Sequence, residues 1–470
     1  MVILRQTLIA LLTIFLCTAS AASAQDIPSG YFIGFGSQDY ENAHNWAQTA
    51  IVQSDGKTSI VPIRRYYDVL DSDLAQYKQA GATVMRAMLN VDAVLFWKEC
   101  NWAQGVPYDV ANSCYDRNYA DASKAGWKDQ ISELDQIQNN PFVTMALDHV
   151  AKLETSGIHV ILAPNDFFWG GKQNWVNSTR DPLLHQYLQN DPKFQQWYVA
   201  FAKAIAHELD RRNLDNTSIQ SVNEPRFCRG GQGPTPQLLA SWESLERKIF
   251  DGVRSVSPKM GLVSSAICTA GDQFFSGMHN YSEIGAVLPI HKGLQNVTYA
   301  IHFRNPRLLM IGASAMNLKQ GTVVHYPYAS VSIANAGDKG ANWEIGVYNK
   351  EKPSAQFYER AFGDLGAFAK AKKIRIMVSE FDIVQPEFGL PRQDRINFTH
   401  DFVDASRRHS VPIVYMGVFD TVGLSSCLHD KSIPDHRFDQ TMMKLFAWGN
   451  GVADVPANLT VEQQDPQCAR

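Results

Sequence analysis

Two rhythms of apolar and polar positions alternate along the chain. Short, mostly apolar runs fall at 31–35, 83–88, 159–163, 218–222, 261–267, 297–302, 374–379 and 412–418. Each is brief, rich in β-branched or small residues, and bounded by turn-forming residues, so each reads as a strand. Between them lie longer segments whose apolar residues return every three or four positions, the spacing of one helix face. These predict helices over 71–81, 145–156, 193–212, 237–253, 354–370, 394–408 and 442–448. The clearest is 193–212, where Phe194, Trp197, Phe201, Ile205 and Leu209 share one face. Gly81 and Gly157 stand where two of the helices should stop.

Strands that alternate with helices imply a parallel sheet. Eight such units with no low-complexity linker imply an α/β fold of the (β/α)8 TIM-barrel type, one domain with long loops on its C-terminal face. An open doubly wound sheet is the competing architecture, but no Gly-x-Gly-x-x-Gly follows the first strand. Residues 305–350 break the rhythm. They are rich in Gly, Asn and Ala and carry the aromatic patch His325-Tyr326-Pro327-Tyr328, and they read as a large excursion above the sixth strand.

The N-terminus changes the picture of where the protein works. Arg5 precedes the apolar run 8–16, and Ala22-Ser23-Ala24 has the A-x-A form of a cleavage site. Residues 1–24 are expected to be a signal peptide and 25–470 the catalytic domain of a secreted or periplasmic protein. The run is too short to span a bilayer, and no membrane insertion is expected after cleavage. Leu16 and Phe15 before Cys17 do not fit a lipoprotein signal. The remaining cysteines are 100, 114, 228, 268, 427 and 468, an even number that favours disulfides in an exported protein. Cys100 and Cys114 flank one loop and are the first pair to expect. None lies in a Cys-x-x-Cys pair, so no zinc site is expected. A formal net charge of −4 without a basic run argues against a nucleic-acid partner. A monomer is expected.

Two glutamates stand at strand ends. The strand 218–222 runs into Asn223-Glu224-Pro225, where proline ends it, and 374–379 delivers Glu380. In a barrel both fall on the face where such enzymes place their chemistry. Glycosidic bond cleavage needs a protonated acid beside the leaving oxygen and a carboxylate under the anomeric carbon, so a carboxylate pair on one face points to that reaction.

On these residues the chain resembles glycoside hydrolase family 5, the cellulase family, within its clan of barrel glycosidases. The resemblance runs strand by strand over nearly the whole mature chain, with Asn223-Glu224-Pro225 as its sharpest motif and Glu380 behind it. It implies Glu224 as acid/base, Glu380 as nucleophile, and Asn223 on the sugar's 2-hydroxyl. Arg86 fits the family's arginine beside the nucleophile and would hold Glu380 ionised. His302 ends the sixth strand, where the family carries a site histidine. The chain departs from the family at three places. Asn165 stands where a histidine is common, Arg304 follows His302 where a tyrosine is frequent, and Phe419, beside Asp420, replaces a tryptophan that floors the sugar site. Trp97, Phe167, Phe168, Trp169, Phe274 and Phe275 are aromatic candidates for the cleft.

The function these readings imply is endo-acting, endoglucanase-like retaining hydrolysis of a β-1,4-linked polysaccharide, first a glucan, with no cofactor. A β-mannanase or an exopolysaccharide-specific or exo-acting hydrolase is the same chemistry on another substrate. A non-catalytic carbohydrate-binding barrel is the reading from another class, and the departures at Asn165, Arg304 and Phe419 are what would favour it.

Overall fold

The computed structural model describes residues 33–36, 49–52, 58–61, 66–91, 94, 137–165, 188–225, 236–265, 288, 291–303, 306–310, 318–384, 389–416 and 438–456. In chain order the strands are β1 (Ile33–Gly36), β2 (Thr49–Val52), β3 (Thr58–Val61), β4 (Val84–Asn90), β5 (His159–Asn165), β6 (Thr217–Gln220), β7 (Gly261–Ser265), β8 (Val297–His302), β9 (Arg375–Phe381) and β10 (Ile413–Tyr415). The helices are α1 (Tyr66–Gln79), α2 (Pro141–Thr155), α3 (Pro192–Arg211), α4 (Pro236–Val256), α5 (Arg307–Met310), α6 (Lys339–Glu351), α7 (Ala355–Lys372), α8 (Arg392–Arg408) and α9 (Gln440–Gly449).

Eight strands close into one barrel in the order β1-β10-β9-β8-β7-β6-β5-β4, and every pairing around it is parallel. This is the (β/α)8 TIM barrel. The pleat sends alternate residues of each strand to opposite sides. Val84, Ile161, Val263, Ala300, Met377 and Val414, one from each of six strands, form a small cluster of their own inside the barrel. Their chain neighbours, among them Met85, Val160, Leu162, Leu262, Ile301 and Val378, belong to the larger core between strands and helices. Inside there is little room: a Cβ on Gly34 would sit 2.6 Å from the carbonyl oxygen of Val84.

The helices form as the pattern dictates. Asp191 caps α3 through its side chain, which accepts from the amides of Lys193 and Phe194, and Pro192 begins the first turn where no amide hydrogen is needed. Phe194, Trp197, Tyr198, Phe201, Ile205 and Leu209 form its buried stripe. Beyond α2, Gly157 takes a φ of 81°, the left-handed conformation that favours glycine.

Two elements differ from the sequence reading. Strands β2 and β3 form an antiparallel hairpin apart from the barrel. Its sequence signal is Asp55-Gly56 between two β-branched runs. The excursion also contains α6, and its aromatic patch packs against the outer helices. Tyr326 is buried, donates to Asp401 Oδ2 of α8 at 2.8 Å, and packs on Tyr358 of α7 and Phe398 of α8. Tyr348 of α6 donates to the carbonyl of His325 at 2.5 Å. Among the described residues, no helix is long and apolar enough to cross a membrane.

Candidate active site

Position inside the barrel follows from pleat parity. Val84 points inward, so Arg86 two residues on does too, and the guanidinium lies at the carboxyl end of the barrel interior with 2 % of its surface exposed. Ala300 points inward and so does His302. Glu380 does not follow this rule. It shares parity with Val378, whose side chain packs outward in the helix-facing core.

A β-bulge corrects the direction. On β8, Ile301 and His302 are adjacent, yet their partners on β9 are Val378 and Glu380. On the other side, Ile413 and Tyr415 pair with Val378 and Phe381. One extra residue in β9, at Ser379, shifts the alternation, so Glu380 turns into the barrel and Phe381 turns out. Phe381 then stacks on Phe402 of α8 at 4.5 Å and meets Tyr415 edge-on at 5.1 Å. The Ser379 hydroxyl donates to the carbonyl of Ile301 at 3.3 Å and fills a bonding role inside the bulge.

Arg86 organises the acceptors around it. Its Nη1 donates to Glu380 Oε1 at 2.7 Å, Nη2 to Asn223 Oδ1 at 2.5 Å, and Nε to Gln220 Oε1 at 2.8 Å. The ion pair is dry, with the two side chains 2 % and 1 % exposed. A buried charge needs such a partner and filled hydrogen bonds to be tolerated. Gln220 passes the connection on, donating through Nε2 to Ser265 Oγ at 2.6 Å and to the carbonyl of Val222 at 3.2 Å.

Glu224 comes from the neighbouring quarter of the rim. Beyond Gln220 the chain leaves regular strand geometry but stays bonded to both neighbours: the amide of Ser221 donates to Val263 and that of Asn223 to Pro164. Glu224 then takes a φ of 43°, unusual for a residue with a side chain and a strain concentrated where function concentrates. Its carboxylate reaches His302, with Oε1 2.8 Å from Nδ1, while Oε2 of Glu380 lies 3.1 Å from the same nitrogen. A ring nitrogen that faces two carboxylate oxygens requires at least one proton among the three groups. Glu224 is the more open of the pair, with 16 % of its side chain exposed against 1 % for Glu380.

The ligating atoms of Glu224, His302 and Glu380 lie within 4.8 Å of one another. One imidazole nitrogen and two carboxylate oxygens are also a donor set that suits a divalent cation. Arg86 already sets a fixed cation against one of the two carboxylates.

The structure thus brings together Arg86, Asn223, Glu224, His302 and Glu380. Asn165 ends β5 in register with Asn90, and its side chain lies outside the described residues, as do Trp97, Trp169, Arg304 and Phe419. Phe167, Phe168, Phe274, Phe275, the signal segment 1–24 and the cysteines expected to pair are likewise outside them. Sequence reasoning missed Gln220 and the buried Glu246 of α4. A signal existed for the second: Glu246 falls on the apolar stripe of Trp242, Leu245, Ile249, Phe250 and Val253, where a carboxylate is out of place.

No family model and no curated protein matches the sequence. Solved structures do match. A broad-specificity endoglucanase of the GH5-4 group from Clostridium longisporum is 11 % identical, with 89 % of this chain and 96 % of that chain covered and a TM-score of 0.51. A structure described as a glycoside hydrolase is 14 % identical, with 89 % and 99 % covered and a TM-score of 0.50. What is shared at such identities is the barrel, and it is the fold that the resemblance to glycoside hydrolase family 5 implies.

Proposed function

We propose that the chain is a retaining β-glycosidase of the family 5 type that acts on a β-1,4-linked polysaccharide. The observation that carries this reading is the placement of Glu224 and Glu380 at one imidazole, their oxygens within 4.8 Å, with Arg86 on Glu380. Retaining enzymes hold their two carboxyl groups about 5–5.5 Å apart, whereas inverting enzymes leave roughly 6.5–9.5 Å for a water between them. The short separation favours double displacement.

In the first half of the reaction Glu380 attacks the anomeric carbon as an anion. A bond forms between its oxygen and C1 while the C1–O bond to the departing sugar breaks, and Glu224 gives its proton to that oxygen. In the second half Glu224 takes a proton from water, the water oxygen bonds to C1, and Glu380 is released. The greater exposure of Glu224 suits the group that must meet both leaving oxygen and water. Arg86 suits the group that carries charge between turnovers. In this reading Asn223, held by Arg86, takes the 2-hydroxyl of the sugar, and His302 Nδ1 faces both carboxylates.

A glucan is the first substrate to try, since the Clostridium longisporum structure is named an endoglucanase. The leader 1–24 makes export part of the proposal. The test is product release from a panel of β-glucans and mannans by wild type, Glu224→Gln and Glu380→Gln. Activity on one polymer that falls more than about 10³-fold in both variants is expected, because each removes a group the transition state requires. A wild type inert across the panel, yet binding one polymer as tightly as both variants do, would replace catalysis with a carbohydrate-binding barrel.

A further inference from the structure

We infer that Glu246, on the helix behind the site, is a positioning residue for the proton-transferring carboxylate Glu224. The inference rests on the assignment of Glu224 as acid/base and extends the site into the helical layer.

Glu246 lies on α4 and is fully buried. Its carboxylate gathers groups from three segments. Oε1 accepts from Ser221 Oγ at 2.6 Å and from the amide of Ser265 at 3.2 Å. Oε2 accepts from Ser264 Oγ at 2.9 Å and lies 3.1 Å from His291 Nε2. The other ring nitrogen of His291 is 3.0 Å from the hydroxyl of Tyr299, whose acidity is suppressed by burial first and by the Glu246 charge second. Tyr299 therefore stays a hydroxyl hydrogen-bonded to Nδ1, and Nε2 lies close to Glu246 without completing a hydrogen bond to it. Among the described residues, no arginine or lysine pairs with this carboxylate. An apolar residue on this stripe of α4 would stabilise the barrel with less desolvation, so stability alone does not account for Glu246.

The segment that Glu246 grips leads directly to Glu224. Ser221 is held at three points: its amide by Val263, its carbonyl by Tyr198 Oη at 2.8 Å, and its hydroxyl by Glu246. The carbonyl of Val222 accepts from Gln220 and from Ser265 Oγ, and the amide of Ser265 is itself held by Glu246. Asn223 is tied to Pro164 and to Arg86. Three tethered residues thus precede a glutamate at φ 43°. Strained backbone persists only where its surroundings over-determine it, and Glu246 supplies that restraint from the rear. Loosening it displaces the acid/base while Glu380, seated on Arg86 and the bulge of β9, stays in place.

Leaving-group dependence reads this selectively. Proton donation matters for a sugar leaving group and hardly at all for 2,4-dinitrophenolate, which departs without a proton. Glu246→Gln is expected to lower kcat on the polymer about 10- to 100-fold with KM within about twofold, the scale of a small misplacement of a catalytic group. On the dinitrophenyl glycoside, formation of the glycosyl-enzyme should stay within about threefold of wild type, and added azide should speed turnover by replacing the water that Glu224 must activate. Ser221→Ala, which removes one donor and little volume, should show the same signature more weakly, and Ser264→Ala more weakly still. Glu224→Gln serves as the reference. Equal losses on both substrates, or no loss in Glu246→Gln and Ser221→Ala, overturn the positioning role if Glu224→Gln shows the selective signature. If Glu224→Gln does not show it, the acid/base assignment itself fails.

Discussion

Arg86 makes three directional donations at once, to Glu380, Asn223 and Gln220. A guanidinium can do this because its donors are fixed in one plane, whereas an ammonium is a compact point charge on a flexible stem. Arg86→Lys keeps the charge near Glu380 but gives up Asn223 or Gln220. We expect kcat on the preferred polymer to fall at least about 10²-fold, with a smaller change in KM, because the interactions lost are ones the transition state uses. Arg86→Met should instead cost about 3–5 kcal/mol of stability by removing the guanidinium partner of a buried carboxylate, which denaturant titration would measure. Glu380 illustrates how much a residue owes to its strand. With an unbroken pleat it would point toward α8, in the place Phe381 takes, and the site would hold one carboxylate.

At the scale of elements, the barrel's first strand and last helix are joined by one side chain. Asn450, the C-cap residue of α9, accepts from the amide of Ile33 at 2.5 Å and donates to the carbonyls of Ile33 at 3.2 Å and Ala80 at 2.8 Å. It closes β1 onto α9 and the end of α1, far along the chain but adjacent in space. Asn450→Ala leaves these backbone groups without that partner and should destabilise the fold by about 1–3 kcal/mol. Thermal melts would show this as a lower midpoint, with kcat/KM unchanged below the transition, since Asn450 touches none of the site residues. The hairpin of β2 and β3 and the helix α6 show the other side of element-level reading. Both were written in the sequence, one as Asp55-Gly56 between β-branched runs and the other as an apolar spacing of Ala341, Ile345 and Tyr348. They were obscured because neither belongs to the strand–helix alternation that the eye follows.

For the molecule as a whole, pH acts through groups that the fold buries neutral. His149 of α2 is buried, and that burial, with the charge of Lys152 second, lowers its pKa from 6.5 to about 3. The folded chain therefore keeps His149 neutral where the unfolded chain takes up a proton. Between about 6.5 and about 3 the unfolded state binds more protons, so stability is full above that window and falls as pH drops through it. On the order of 3 kcal/mol should be lost from this group between pH 7 and pH 4. Urea titrations at the two pH values test it: His149→Gln should flatten the difference, and an unchanged slope would assign the acid limb to other groups.

How much was legible divides along a physical line. The helix of Phe194, Trp197 and Phe201 and the strand 297–302 were readable because periodicity and capping are local, and local preference agrees there with tertiary packing. The alternation of eight units sufficed for the barrel, and strand ends followed by Glu224 and Glu380 sufficed for the candidate pair. Three features were decided only in three dimensions. The direction of Glu380 depends on a one-residue slip of β9 against two neighbours, set by long-range register. The grip of Glu246 on Ser221 and Ser265 depends on how α4 docks against β6 and β7. The left-handed backbone of Glu224 depends on the tethers that surround it. Sequence by itself determines which residues are offered at strand ends, because hydrophobic period and turn chemistry act over a few residues. Closure of the barrel decides which of them meet, because register and docking are settled by contacts between positions hundreds of residues apart.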